Sequence, residues 1–577
     1  MGDNENRKVY KARQVKNYRE MVEYSCKNYA QNIAYKYKKD YTAKNVEYIE
    51  KTYEQVGKDI KAFGTGLLNL DLMGERIVVV GKNRYEWCIS YLATTCSNMV
   101  IVPIDKALPD IEMQRLIERS EAKAIIFDEK YLETIKKVQE KENSNLKTLI
   151  CMDNIQEKGI KTFNEILEEG RNQIKNGDQK YDNIEIDENK MSIMLFTSGT
   201  TNEPKAVMLS QANICANISN IACWVKLYPT DVLLSFLPIH HTFECTITFL
   251  YGFYSGSQVA FCDGLKHIQQ NLKEYKVSVF VAVPLVLETM YKKIQKAIEE
   301  QGKTGLIKKM TKISNTLLKA KIDIRKIVFK QILDNFGGHL RVVLYGAAPM
   351  NKATIIGYNN LGISLVQGYG LTETSPVVTA ETDKEKRPGS IGLALANLNL
   401  KIANPDNEGV GEITVKGPSV MLGYYKNPEE TKKVLKDGWF STGDYGYKDK
   451  DGFVYITGRK KDIIVLKNGK NVYPQEIEFL INKIPYIAES LVYSRDKDTT
   501  DTMLCAKIVY DKDAIKQMIG EKTEEEYKEI IWQEIKKINQ ELPIFKKIKN
   551  ITKKEETGIA KTDNVCYDKT IDVCIYQ

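Results

Sequence analysis

The first half of the chain alternates short β-branched runs with stretches of helical periodicity. Residues 76–81, 99–103, 124–127 and 149–151 are short, mostly apolar runs of strand length, and residues 85–95 between the first two have helical character. Residues 191–196 and 206–209 predict two strands around a polar loop, and Ser210 is placed to N-cap the helix that follows. Residues 232–236, 277–283 and 342–345 predict further strands, with Pro284 opening a helix and Gly346 ending the last run. Strands alternating with helices imply a layered α/β architecture. Ligands in such sheets sit at the carboxyl ends of strands. The polar loops at 197–205, 346–349 and 368–375 each follow a predicted strand, so the pattern lets them converge there.

The pattern changes near residue 388, where glycines become frequent and a smaller β-rich subdomain is predicted over 388–460. Residues 458–462 form a charged break, after which a compact α+β unit is expected. Pro474 opens a short helix, and 489–494 and 503–510 read as strands. Thr523 with Glu526 three residues on is a capping box, and the helix it starts carries Ile531, Ile535, Ile538 and Leu542 on one face. The predicted organisation is a large N-terminal domain of layered α/β subdomains plus the β-rich part, residues 1–460, and a small C-terminal α+β domain, residues 461–577.

Composition narrows the class of protein. With 577 residues, 43% of them hydrophobic, the chain can build large cores. No run of about 18 uncharged apolar residues occurs, so no transmembrane helix is expected. The nearest approach, 89–104, holds Asn98 and reads as a helix plus a strand. Residues 1–16 are polar and charged, unlike a signal peptide. Eleven cysteines without a Cys-x-x-Cys pair point to reduced thiols and a cytoplasmic location. The net charge of +8, from 84 basic and 76 acidic residues, suits phosphate-rich ligands or a transient membrane-surface contact and demands neither. No nucleic-acid-binding module is present, so nucleic acid is not an expected partner.

The chemistry concentrates in a few segments. Thr197, Ser198, Gly199, Thr200 and Thr201, followed by Pro204 and Lys205, offer hydroxyls, backbone N–H groups and one ammonium to a polyanion, most simply phosphate. A Walker A loop is excluded, since Lys205 follows Pro204 and precedes Ala206. Residues 367–375, with Gly368, Tyr369, Gly370, Thr372 and Glu373, read as a loop able to hold a nucleotide and a metal; Glu373 supplies a hard oxygen for Mg²⁺ and Thr372 a phosphate donor. Gly346, Ala347 and Ala348 are small enough for a planar base to approach the backbone. Asp444 is an acceptor suited to a cis-diol. His240 and His241, two of only four histidines, precede an apolar aromatic helix; zinc is not expected there, and a packed imidazole competes with a role in the site.

The order of these residues resembles the adenylate-forming superfamily, which includes acyl-CoA synthetases, luciferases and peptide-synthetase adenylation domains. The match rests on Thr197–Thr201 with Pro204-Lys205, on 367–375, on Asp444, and on Gly458-Arg459-Lys460-Lys461-Asp462. Two positions depart from the usual pattern: Asn202 and Ala206 stand where glycine is common. The segment 237–244, the Asn83-Arg84-x-x-Trp87 turn and Val102-Pro103 look like the long-chain acyl-CoA synthetases.

The resemblance implies two half-reactions. A fatty carboxylate attacks ATP to give acyl-adenylate and pyrophosphate, and coenzyme A then takes the acyl group. It implies an adenine pocket at Gly346–Ala348 with Tyr369 and Gly370, a ribose site at Asp444 with Arg459, and His241 beside the acyl and nucleotide sites. Lys461 corresponds to the hinge of a mobile C-terminal domain, and Gly469 and Lys470 to the face that admits CoA. Lys561, in Thr557-Gly-Ile-Ala-Lys561, corresponds to the lysine bridging carboxylate and phosphate, with Lys553 and Lys554 as alternatives. The expected partners are a fatty acid, ATP with Mg²⁺, and CoA. Transfer to a free carrier protein and a catalytically silent acyl or nucleotide binder remain as rival readings.

Overall fold

The apolar runs found in the sequence pair with one another as parallel strands, because runs without polar alternation are stable only when both faces are covered. The structure, a computed structural model, describes residues 4–43, 45–197, 203–466, 471–496 and 502–553. It divides into two compact units, Met1–Leu400 with Val415–Phe440, and Lys401–Thr414 with Ser441–Gln577.

The described part of the first unit is built on two large sheets of nine and eight strands. In the eight-stranded sheet, Arg76–Val80 lies between the parallel strands Val100–Pro103 and Ala124–Phe127. Met191–Thr197 continues the sheet parallel to Val100–Pro103, and Lys205–Ser210 turns back antiparallel beside it. In the nine-stranded sheet, Val232–Ser235, Val279–Ala282, Val342–Tyr345 and the start of Ser364–Gly370 run parallel.

The helix Gln211–Trp224 is held between these sheets and is buried on nearly every side. Its start is fixed by a capping box in which Ser210 accepts from the Asn213 N–H. Gln211 Nε2 donates to the Thr95 carbonyl on one side. On the other, Asn217 Nδ2 donates to the Val377 carbonyl at 2.7 Å and its Oδ1 accepts from the Val377 N–H. Gln211 and Asn217 are tolerable on a buried helix because both find partners. The helix Tyr85–Cys96 carries Trp87, which stacks on Tyr91 with centroids 5.5 Å apart and meets the edge of Phe249.

The second unit takes in residues 441–448 of the strand Trp439–Lys448, which pair antiparallel with Val454–Arg459 so that Asp444 stands opposite Arg459. Its C-terminal part is a three-stranded sheet of Ile487–Asp496, Thr502–Tyr510 and Asn550–Lys553. Pro474 opens the helix Pro474–Ile481, and the Thr523–Glu526 capping box opens Glu524–Glu541. Ile531, Ile535 and Leu542 are buried against Ile477, Ile481 and Val492, as the spacing required.

One expectation changes. The stretch 367–375 is not loop throughout: the strand runs to Gly370, and only Thr372–Thr374 forms a turn. The strand is longer because Gly368–Gly370 gains an antiparallel partner in Val377–Ala380 after losing its parallel one. The aromatic helix expected after the paired histidines is present, wound as a π-helix over Glu244–Tyr251. Lys460 is exposed, and its ammonium lies 2.8 Å from Glu412 Oε2.

Candidate active site

Thr197 and Lys205 face each other across the strand pair that brackets the hydroxyl-rich loop. Ser198, Gly199, Thr200 and Thr201 lie outside the described residues. Thr197 Oγ1 donates weakly to the Lys205 carbonyl at 3.4 Å. The Lys205 ammonium is mostly buried, with Glu430 Oε2 at 2.8 Å and the Tyr424 ring centroid at 5.0 Å. Glu430 also pairs with Lys433, and the two ammonium groups pull its carboxyl down to about 2. Lys205 thus rests against an internal carboxylate.

Tyr424 joins this lysine to the second loop. The two-residue strand Gly423–Tyr424 pairs antiparallel with Lys205–Ser210, placing Tyr424 opposite Val207. Its hydroxyl donates to Glu373 Oε1 at 3.0 Å, and the Met421 N–H donates to the Glu373 carbonyl at 2.9 Å. Burial, then the Glu373 carboxylate, push the Tyr424 phenol well above its ordinary value, so it stays a donor. Lys205, Tyr424 and Glu373 therefore meet although they lie far apart in sequence. Glu373 is half-buried, and Thr372 begins the same short turn.

Gly346 follows the strand Val342–Tyr345, and Gly368 stands in the neighbouring strand just past the parallel register of Tyr345 with Gln367. A side chain at Gly346 is barred, since a Cβ there would sit 2.7 Å from the Gly368 carbonyl oxygen. Ala347 takes the left-handed conformation, φ 71°, which costs a non-glycine residue energy and is often retained where a ligand is held. Ala347 and Ala348 are exposed, and Tyr369 is half-buried nearby in the sequence of the second strand. The arrangement leaves a backbone surface free of bulky groups, as an adenine pocket needs.

The rings of His240 and His241 pack with centroids 4.1 Å apart and planes tilted by 43°, just before the π-helix. Burial and the neighbouring ring lower His240 to about 4, despite Asp105 Oδ2 at 3.6 Å. Desolvation lowers His241 as well, although its outer edge reaches solvent. Both are neutral near pH 7. A cavity of about 10 Å³, room for roughly one water, lies against His240 between Tyr91, Pro103, Leu195 and Cys245. Behind the pair, Glu244 is wholly buried and accepts from Thr248 Oγ1 at 2.9 Å; burial raises its carboxyl to about 8. A π-helix and a buried acid at one place are features that recur at functional sites.

In the second unit, Asp444 is buried and Arg459 is exposed, with Arg459 Nε 3.1 Å from Asp444 Oδ1. Lys461 lies in the short turn Lys460–Asp462 and is exposed. Gly469, Lys470 and Lys561 lie outside the described residues, as does Lys554; Lys553 ends the strand Asn550–Lys553. Among the described residues, no group of three His, Cys, Asp or Glu is placed to hold a metal by itself.

Sequence reasoning missed Tyr424, Glu430 and Glu244. A signal existed for the first two: Gly423-Tyr424-Tyr425-Lys426-Asn427-Pro428 marks a short strand and a helix start. Nothing in that signal names Glu373 as the partner.

Comparison with known proteins agrees with this geometry. Residues 22–425 match the AMP-binding enzyme family, and residues 461–565 match the AMP-binding enzyme C-terminal domain. The chain is 30% identical over 498 residues to long-chain-fatty-acid–CoA ligase 6 of Mus musculus, covering 80% of this chain and 70% of that protein. It is 28% identical over 560 residues to a chloroplastic long-chain-fatty-acid–[acyl-carrier-protein] ligase of Arabidopsis thaliana, covering 84% and 76%. ATP-bound MatB of Rhodopseudomonas palustris shares the fold, with a TM-score of 0.72, 22% identity and coverage of 95% and 96%. A fatty acyl CoA synthetase of Mycobacterium tuberculosis shares it at a TM-score of 0.64 and 22% identity, with the same coverage. The chain belongs to the AMP-binding enzyme family, within the adenylate-forming superfamily that its motifs resemble.

Proposed function

We propose that the protein is a long-chain fatty acid–CoA ligase, an AMP-forming acid–thiol ligase that makes an acyl-adenylate and then a thioester. The observation that carries the reading is the meeting of Lys205, Tyr424 and Glu373 in a chain of this family. The names of the relatives support a fatty acid as the acid. In the first half-reaction the carboxylate oxygen bonds to the α-phosphorus of ATP and pyrophosphate leaves. Two anions must meet, so alignment and charge neutralisation are the main catalytic needs.

Lys205 exchanges Glu430 for a phosphate oxygen when the triphosphate binds. Glu373 fits a magnesium ion shared with phosphates: it is a half-buried hard-oxygen donor held in place by the Tyr424 hydroxyl, and magnesium uses few protein carboxylates in such sites. When bound, magnesium offsets phosphate charge. Thr372 donates to phosphate, and Gly346, Ala347 and Ala348 with Tyr369 and Gly370 receive the base. Asp444 accepts from the ribose hydroxyls with Arg459 beside it. His241, neutral, orients the carboxylate. Lys561 aligns carboxylate and phosphate, and the C-terminal domain from Lys461 onward turns to bring Gly469 and Lys470 to CoA.

The test is fatty-acid-dependent pyrophosphate release by the purified chain with ATP, followed by thioester formation with CoA. No pyrophosphate with any acid in a chain-length panel overturns the reading in favour of a silent binder. The carrier-protein reading has the Arabidopsis relative in its favour; product on a carrier but none on CoA would select it.

A further inference from the structure

The chain's formal charge of +8 is not spread over its length. Residues 303–333 hold nine lysines and arginines against a single acid, Asp323, so this stretch alone carries +8 and the rest of the chain is balanced. Its main element is the 16-residue helix Thr304–Lys319, with four lysines, no acid, and only Ser314 buried. Arg325 is neutralised by Asp323 and Lys330 pairs with Asp334. Lys308, Lys309, Lys312, Lys319, Lys321 and Lys326 make no ion pair among the described residues.

The same stretch exposes aliphatic side chains: Leu306 is 52% exposed, Ile313 40%, Ile322 53% and Ile327 78%. Leu306 and Ile313 are two helical turns apart and share a face with the half-buried Met310 and Leu317. The lysines occupy the adjoining polar arc. A helix with leucine and isoleucine at the edge of a lysine face lies in the plane of a membrane interface. Protein interfaces are instead enriched in aromatics and arginine and depleted of lysine. The residue types here therefore favour lipid over an acidic protein.

Placement keeps the patch clear of the nucleotide loops. Asn315 Nδ2 donates to Asn360 Oδ1 at 2.9 Å, and Arg325 Nη1 donates to the Asn359 carbonyl at 2.7 Å. These contacts are at the C-terminal end of the helix Lys352–Leu361, just before the strand Ser364–Gly370 begins. Glu373 lies beyond the other end of that strand, roughly 20 Å away at about 3.3 Å per residue.

We infer that residues 303–333 form a docking surface for an anionic lipid bilayer, with the lysines over acidic headgroups and Leu306 and Ile313 inserted beneath them. Among the described residues no helix is long and apolar enough to cross a membrane, so contact is at the interface. The test is sedimentation of the full chain with vesicles of phosphatidylcholine alone or with roughly a third phosphatidylserine. The chain should sediment only with the anionic vesicles and be released at about 1 M salt, where screening is nearly complete. The triple variant K308Q/K309Q/K312Q should bind about 100-fold more weakly, at about fivefold per lysine. The variant L306S/I313S should also bind more weakly with its charges intact. Wild type that stays in solution at low salt, a lysine variant that binds as wild type, or a serine variant that does so, would each overturn the proposal and leave an acidic protein as the occupant to seek. No turnover is needed, so failure of the ligase reading leaves this measurement interpretable.

Discussion

Replacing Tyr424 by phenylalanine removes one hydroxyl and keeps the ring that lies 5.0 Å from the Lys205 ammonium. What is lost is the 3.0 Å hydrogen bond to Glu373 Oε1. A hydrogen bond to a charged acceptor contributes about 1.5–3 kcal/mol. At about 1.36 kcal/mol per factor of ten, kcat/KM for MgATP should fall about 10- to 150-fold if the bond orients Glu373 in the transition state. The assay is pyrophosphate release at saturating fatty acid with ATP varied. Glu373→Gln supplies the second edge of a double-mutant cycle. If Tyr424 acts through Glu373, Tyr424→Phe should cost less than about threefold in the Glu373→Gln background, a coupling of at least about 1 kcal/mol. Equal losses in both backgrounds would refute the linkage, and an unimpaired Tyr424→Phe enzyme would remove Tyr424 from the site.

Other outcomes follow from the same contacts. Glu430→Gln should lower KM for ATP severalfold, because the lysine no longer has an internal carboxylate to leave; a raised KM would show that Glu430 instead holds Lys205 in its working position. Asp444→Ala should bring activity with ATP and with 2′-deoxyATP close together; an undiminished preference for ATP would take the ribose away from Asp444. Glu244 has a folded pKa of about 8, above its ordinary 4.5, so the protein should lose stability as pH rises from about 4.5 through 8 and level off above. Glu244→Gln should flatten that slope, by about 5 kcal/mol at most, in urea melts at pH 5 and pH 9; parallel curves for the two proteins would refute the buried neutral acid.

Strand runs such as 76–80, the capping residues Ser210 and Thr523, and the apolar face through Ile531 and Ile535 were legible in the sequence, because each follows from a few consecutive residues. Membership of the AMP-binding enzyme family was legible for a different reason, the order of the hydroxyls before Pro204-Lys205 and of the residues in 367–375. Tyr424 shows where that reach stops. Its two-residue strand is too short to stand out, and its partners Lys205 and Glu373 lie far away along the chain.

The sequence by itself determined the local elements, the α/β class and the kinds of chemical group on offer. Only the tertiary structure decided that Lys205 rests on Glu430, that Tyr424 bridges to Glu373, and that the helix after the histidines is wound as a π-helix around a neutral Glu244. Local propensity depends on neighbours within a few residues, whereas the protonation and partners of a buried group depend on which distant strands are laid beside it.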